Sequence, residues 1–454
     1  MPIRLLAIAL VCLLTLSSAA AESRPRLLVL TDIGGDPDDQ QSMIRLMLYA
    51  NEFDIEGLIA SASGTPGELK EKVTKPELIR NTIEAYGEVR PKLVQHAKGY
   101  PTKEELLAGV KSGNPNRGRE AIGEGKDTEG SRWIIAMADQ KDSRPLNISI
   151  WGGQTDLAQA LWRVRQDRGE AGLKTFISKL RIYDINDQDK IVDWVWAEFP
   201  GMWYILASAP KGKDKRTGAY RGVYLGGDES LTSAGWINAH VKENHGPLGA
   251  LYPMKTYTAP NPHKTMKEGD TPSWFYFLPN GLGDDSHPEF GGWGGRFMIE
   301  KESIYRDAAD SLDDITEPRI GVSRWRPAFQ NDFAARMDWC VNDFDKANHA
   351  PKVVVNKSKG SQPLKLTAKA GSSLKLDAAG TADPDDDIIL YKWWIYAEPS
   401  TQAGAKIESA NRTQAKLVVP PTKNPGDIHV ILEVTDNGAP ALTTYRRVIV
   451  SVTP

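Results

Sequence analysis

Short apolar runs alternate with longer amphipathic stretches from Arg26 to about Pro210. Arg26–Asp32, Ile55–Ser61, Asn147–Trp151, Leu180–Ile185 and Trp203–Ala207 are dominated by Leu, Ile, Val and aromatic residues and read as buried strands. The stretches between them space apolar side chains as helices do. Asp38–Ala50 sets Met43, Met47 and Ala50 on one side, and Leu78–Tyr86, Thr155–Val164 and Lys190–Glu198 follow the same rule. Such alternation implies βαβ units, hence an α/β fold with a mostly parallel sheet flanked by helices. In these sheets functional groups gather beyond the carboxyl ends of the strands.

From Lys211 to His349 the pattern turns irregular and rich in Gly, Trp and Pro, with helices expected near Leu231–Val241 and Ala328–Phe344. Irregular loops on a rigid scaffold often carry binding residues. Composition breaks again at Ala350–Gly360. Beyond it come short strand-like runs: Ser373–Leu376, Ile389–Tyr396, Ala415–Val419, His429–Val434 and Thr443–Val452. Turn-forming clusters such as Asp383-Pro384-Asp385 and Asp436-Asn437-Gly438 separate them. Regular short strands over about 100 residues specify an immunoglobulin-like β-sandwich, with Trp393 or Trp394 as its core anchor. The expected division is a signal peptide at 1–21, an α/β domain at 24–349 and a sandwich at 352–454.

Composition narrows the partners. The chain has 454 residues, 40% hydrophobic and 25% charged, with a net charge of −3. That balance lacks the basic face a nucleic-acid partner demands. Arg4, the apolar run Leu5–Leu16 and the small residues Ser17–Ala21 form a signal peptide pattern, so the protein is expected to be secreted or periplasmic. The run is too short to serve as a stable membrane anchor. Cys12 lies inside that segment, which leaves Cys340 alone in the mature chain and makes an intrachain disulfide unavailable. Oligomeric state has no signature in the chain.

The sharpest chemical signal follows the first strand. Asp32, Asp36, Asp38 and Asp39 place four carboxylates within the stretch Thr31–Asp39. Like charges this close raise one another's pKa unless a cation neutralises them. Carboxylate oxygens suit calcium or magnesium, and Gly34-Gly35 lets the backbone turn tightly. A helix cap at Asp36 or Asp38 accounts for one or two of the acids. A phosphatase of the haloacid dehalogenase type needs a second Asp where Gly34 stands, and the G-x-G-x-x-G of dinucleotide folds is absent.

The loop resembles the nucleoside hydrolase signature D-T-D-P-G-x-D-D, with one residue added before the last Asp pair and Leu30 in place of the preceding Asp. That resemblance implies an Asp general base, which takes a proton from a calcium-held water as it attacks an anomeric carbon. By position it makes Asp38 the base and Asp32 and Asp39 ligands of Ca2+. Gly152–Ala158 resembles the family's G-P-L-T-N-x-A, which implies a metal contact from the Thr155 carbonyl. Asp270 resembles the late metal-ligand Asp, although Gly269 stands where the family has His. Asn186, Asp187 and Asp189 fall where the family places sugar-hydroxyl binders; the alternative is a polar turn that caps the next helix.

As a whole the chain is similar to the Sde182-type cellulose-binding proteins, which carry a nucleoside-hydrolase-like domain. Asp32–Asp39, Asp270–Leu282, His287–Arg296 and Arg324–Phe333 carry the likeness. Aromatic rings stack on sugar faces, which makes Trp274, Trp293, Tyr276, Trp194 and Trp196 candidate substrate binders; core packing is the alternative for each. His287 and Glu289 are candidates for acid or ligand, and Arg296 for gripping a hydroxyl or carboxylate. The resemblance implies a secreted calcium-dependent hydrolase of glycosidic bonds acting on an extracellular glycan or glycoside. The rival is a non-catalytic carbohydrate- or cellulose-binding protein on the same scaffold. Adhesion through the sandwich alone leaves the acidic loop unexplained.

Overall fold

Every residue of the first strand, β1 (Arg26–Thr31), is buried, which requires cover on both faces of its sheet. Leu27 and Val29 face one core, with Met43, Met47 and Tyr86. Leu28 and Leu30 face another, with Ile134, Leu161 and Ile182. The covering helices are α1 (Asp38–Leu48) and α2 (Pro76–His96) on the first face. On the second they are α4 (Glu129–Ala138), α5 (Gln154–Ile177) and α6 (Val192–Glu198). A short helix, α3 (Lys103–Ala108), begins at a Thr102/Glu105 capping box. The computed structural model describes residues 24–63, 72–256 and 261–454; the expected signal peptide lies outside the described residues.

The central sheet adds β2 (Asp54–Ala60), β3 (Val110–Ser112), β4 (Leu146–Ile150), β5 (Leu180–Ile185), β6 (Trp203–Ala207), β7 (Phe297–Lys301) and β8 (Ile304–Asp307). Their order is β3-β2-β1-β4-β5-β6-β8-β7. All pairings are parallel except β7 with β8. The chain winds outward one way from β1 to β3 and the other way from β4 to β6. The order therefore reverses between β1 and β4, the switch point where open α/β sheets bind their ligands. The acidic loop leaves β1 there, and Gly152–Asp156 leaves β4 beside it.

The expected helix at Leu231–Val241 is broken into three. A 3-10 turn spans Glu229–Thr232, an α turn Ala234–Ile237 and a π turn Asn238–Lys242. Asp228 and Ser233 each accept a backbone N–H two and three residues on, and so start separate turns. The helix expected at Ala328–Phe344 runs over Arg326–Asp338.

After the hairpin β9 (Asp310–Leu312) and β10 (Ile315–Glu317) comes the sandwich. Its strands are β11 (Leu364–Lys369), β12 (Ser373–Asp377), β13 (Leu390–Ile395), β14 (Lys406–Glu408), β15 (Gln414–Val418), β16 (Gly426–Thr435) and β17 (Thr443–Thr453). They form the sheets β11-β17-β16-β13 and β12-β15-β14. The pairings are antiparallel apart from β11 with β17. Trp393 anchors the core between them, while Trp394 turns toward Trp325 of the α/β domain, ring centroids 5.9 Å apart.

Buried polar groups stitch the two domains. Arg447 of β17 is fully buried and donates to the carbonyls of Phe290 and Gly291, both at 3.0 Å. Asp310 accepts from Arg296 at 2.6 Å and from the Tyr396 hydroxyl. Cys340 is a buried free thiol. No helix among the described residues is long and apolar enough to cross a membrane.

Candidate functional site

Asp38 and Asp39 occupy the first turn of α1, whose cap position is Pro37 and which has no side-chain cap. Capping therefore does not explain these acids. The helix N-terminus favours their charge, while burial opposes it: Asp32, Asp36, Asp38, Asp39 and Asp270 are all buried. One carboxylate oxygen from each of Asp38, Asp39 and Asp270 lies within 4.8 Å of the others. This buried triad could hold a metal ion. Asp270 Oδ2 has no hydrogen-bond partner, an acceptor for which a cation is the natural complement.

The groups that position and balance these acids arrive from far along the chain. Fully buried Arg45 of α1 grips fully buried Glu268 at 2.5 Å. Gln41 of the same helix accepts from the Lys267 amide at 2.9 Å and donates to the Thr265 carbonyl at 2.7 Å. These contacts clamp the segment Thr265–Asp270 along α1 and set Asp270 opposite Asp38 and Asp39. The same clamp delivers Lys267, whose Nζ lies 2.6 Å from Asp36 and 3.0 Å from Asp38.

Asp32 meets the guanidinium of Arg117, which also lies 3.7 Å from Asp189. A Cβ on Gly152 would stand 2.6 Å from the Asp32 carboxyl carbon, and φ there is +141°. Only glycine lets the loop after β4 come this close. Burial pushes the Asp32 carboxyl up to about 7 against the pull of Arg117. Burial also raises Asp38, against Lys267. It raises Asp39 and Asp270 well above the usual carboxylate range, with neighbouring Asp charges adding to it.

Thr155, in the first turn of α5, donates to Asp189 from both its amide and its hydroxyl, at 2.8 and 2.6 Å. Asn186 and Asp187, at φ 66° and 47°, turn the chain just past β5. Asp187 accepts from the amides of Ile191 and Val192 at the start of α6, as the capping alternative expects; burial pushes it up to about 6.

Five aromatic and charged candidates have other surroundings. Trp274 is 0% exposed and packs on Phe275, Tyr49 and Phe53. Trp293, 4% exposed, packs against Phe275. Neither ring offers a free face to a sugar. Arg296 is spent on Asp310 and the domain seam. His287 and Glu289 pair with each other at 2.9 Å on a half-exposed loop. Asp285 of that loop pairs with Arg181, at the amino end of β5 and so away from the acidic cluster.

Gln41, Arg45, Arg117, Lys267 and Glu268 are site residues that sequence reasoning missed. Gln41 and Arg45 follow the acidic loop and Lys267 and Glu268 precede Asp270, but each one's partner lies far off in sequence.

Residues 26–297 match the family model described as "Cellulose-binding Sde182, nucleoside hydrolase-like domain", and residues 373–452 match "Cellulose-binding protein Sde0182, C-terminal domain". A nucleoside hydrolase-related protein from Saccharophagus degradans, described as associated with carbohydrate metabolism, is 35% identical, with a TM-score of 0.80. The alignment covers 95% of this chain and 100% of that one. The effector protein XOO4466 covers 71% of this chain and 95% of its own at 10% identity and a TM-score of 0.35. A PKD domain from the KIAA 1837 protein covers 21% of this chain and 93% of its own at 24% identity and a TM-score of 0.15. No curated protein matches the chain. On the family models and the full-length likeness together, the chain belongs to the cellulose-binding Sde182 family, with a nucleoside-hydrolase-like domain followed by that family's C-terminal domain.

Proposed function

We propose that this protein is a secreted, calcium-dependent hydrolase of glycosidic bonds that acts on an extracellular glycan or glycoside. The observation that carries the reading is the buried triad Asp38, Asp39 and Asp270 at the sheet's switch point. Burying several carboxylates together is costly unless cations neutralise them. Calcium suits these hard oxygens; in this reading Asp32, Asp39, Asp270 and the Thr155 carbonyl are its ligands, and Asp38 stands beside it as the base. When bound, the ion supplies the positive charge that polarises water.

Asp38 is the most open of the triad, 9% exposed against 4% for Asp39 and 3% for Asp270, which suits it to meet solvent and substrate. Its carboxylate accepts a proton from water as the water oxygen bonds to the anomeric carbon; the glycosidic bond breaks with its electron pair on the leaving group, which takes a proton from solvent. Lys267, 3.0 Å away, favours the ionised form of Asp38 that the step needs. Asn186 and Asp187, just past β5, supply polar side chains for sugar hydroxyls. The experiment is a panel of glycosides and polysaccharides assayed for released sugar with calcium and with a chelator.

A second reading is a non-catalytic carbohydrate-binding protein. The pairing of Lys267 with Asp36 and Asp38, and of Arg117 with Asp32, favours it. Internal cations could make the acidic loop a self-neutralised structural element. Glycan binding without turnover across the panel would decide for this reading.

A further inference from the structure

Two clefts adjoin on the amino-terminal side of the sheet, away from the acidic cluster. The first, of about 460 Å³, is lined by the starts of β1, β4 and β5 at Arg26, Asn147 and Arg181, and by Tyr276, Gly283 and Gln362. The second, of about 550 Å³, follows the domain seam past Asn280, Val353, Ala382 and Tyr445. Pro279 lines both, and Gln362 of the first neighbours Ser361 of the second. Each is of a size common for small-ligand sites, about 300–1,000 Å³.

The lining states what would fit. The guanidinium groups of the first cleft are already neutralised: Arg26 by Glu56 at 2.5 Å, Arg144 by Asp54 and Asp142 at 2.6 Å, and Arg181 by Asp285 at 2.5 Å. Arg24 shares Asp54 with Arg144, and the lining charges outside these pairs, Asp284 in the first cleft and Lys352 and Lys359 in the second, are few and mixed in sign, so neither sign dominates to select an ion. Two polar atoms on the linings are buried without partners, Asn147 Oδ1 in the first cleft and Asn280 Nδ2 in the second. Asn147 itself is 1% exposed. One is an acceptor and the other a donor, and a hydroxyl serves both. Tyr276 and Pro279 add partly exposed flat apolar surface between them, the kind on which a sugar ring packs.

We infer that these clefts form one groove that binds an extended, neutral polysaccharide chain across the two domains, separate from the acidic cluster. The inference rests on the carbohydrate reading above and assigns it a second site. The domain seam then has a use: a chain lying in the groove touches both domains at once, so affinity depends on their being joined.

The test is binding of the full-length protein to microcrystalline cellulose and to soluble cellohexaose. It compares the wild type with Gly283→Leu, Ala382→Leu and Asp270→Ala. A Cβ at Gly283 would meet only the Tyr276 carbonyl, at 3.9 Å, and Ala382 is exposed. Both leucines therefore fill the groove without disturbing the core, which a melting curve verifies. The groove predicts at least a tenfold loss of binding in each leucine variant, with cleavage of any small glycoside unchanged and Asp270→Ala binding as wild type. Full binding in both leucine variants with loss in Asp270→Ala would overturn the groove and leave the carbohydrate reading standing. Tighter binding of an anionic polysaccharide such as polygalacturonate would overturn its neutrality. A wild type that binds no glycan would remove the carbohydrate reading, and the groove with it.

Discussion

Lys267 Nζ stands 3.0 Å from Asp38 Oδ2, so the proposed base carries its counter-charge with it. Burial raises the Asp38 carboxyl, and Lys267 is the largest force lowering it. An opposite charge at this range shifts a carboxylate by roughly 1–3 units. Lys267→Met should therefore move the acidic limb of the kcat/KM profile upward by about one pH unit or more, because the base must be ionised to act. A profile that keeps its acidic limb would detach Lys267 from Asp38.

The same carboxylates make calcium binding pH-dependent. Asp32 is raised to about 7, and Asp39 and Asp270 are raised well above the usual carboxylate range by burial and mutual repulsion. Groups raised above the unfolded value of 3.8 take up protons on folding, so their contribution is fully present at low pH. It is lost as pH climbs from about 4 through about 7. Without calcium the melting temperature should fall across that window. Calcium displaces those protons, so its stabilising shift should be small at pH 5 and large at pH 8. An equal shift at both pH values would mean the ion sits elsewhere.

Arg45 and Glu268 hold Asp270 in place. Arg45→Met leaves the Glu268 carboxylate buried without its partner, which costs about 3–5 kcal/mol. Urea unfolding should register that loss, and the calcium-dependent melting shift should shrink with it. Loss of stability with an undiminished calcium shift would show that the clamp does not position Asp270.

Strand positions were legible because burial on both faces demands continuous apolar runs; Leu180–Ile185 and Trp203–Ala207 appear with the bounds their apolar residues set. The short elements Lys103–Ala108 and Val110–Ser112 escaped, since they span too few residues for a period to emerge; Glu129–Ala138 escaped although its length suffices for one. The acidic loop was legible as a local cluster of like charge. Lys267 and Arg117 were not, because their pairing with it is made by the fold and not by spacing. The burial of Trp274 was equally hidden. Its composition suits a sugar platform and a core alike, and only the packing of Tyr49 and Phe53 around it separates the two.

The sandwich has its own core of Trp393, Leu417, Val430 and Val450, so residues 352–454 should fold alone with a cooperative β-type transition. The isolated piece would expose Arg447, Tyr445 and Ile431, which pack on the α/β domain in the full chain. In the full chain Arg447→Leu strands the carbonyls of Phe290 and Gly291, costing about 1–3 kcal/mol each. Circular dichroism and urea melts would check both expectations. A disordered fragment would show that the sandwich folds only on its neighbour.

The most direct test of the central claim is the turnover of Asp38→Asn on whichever glycoside the wild type cleaves, with calcium present and glycan binding measured in parallel. The amide keeps the shape of the carboxylate but cannot take up the proton. Positioned general-base catalysis is worth about 10²–10⁴-fold, so kcat should fall by at least that order while the fold and glycan binding persist. Turnover that survives in Asp38→Asn would contradict the account.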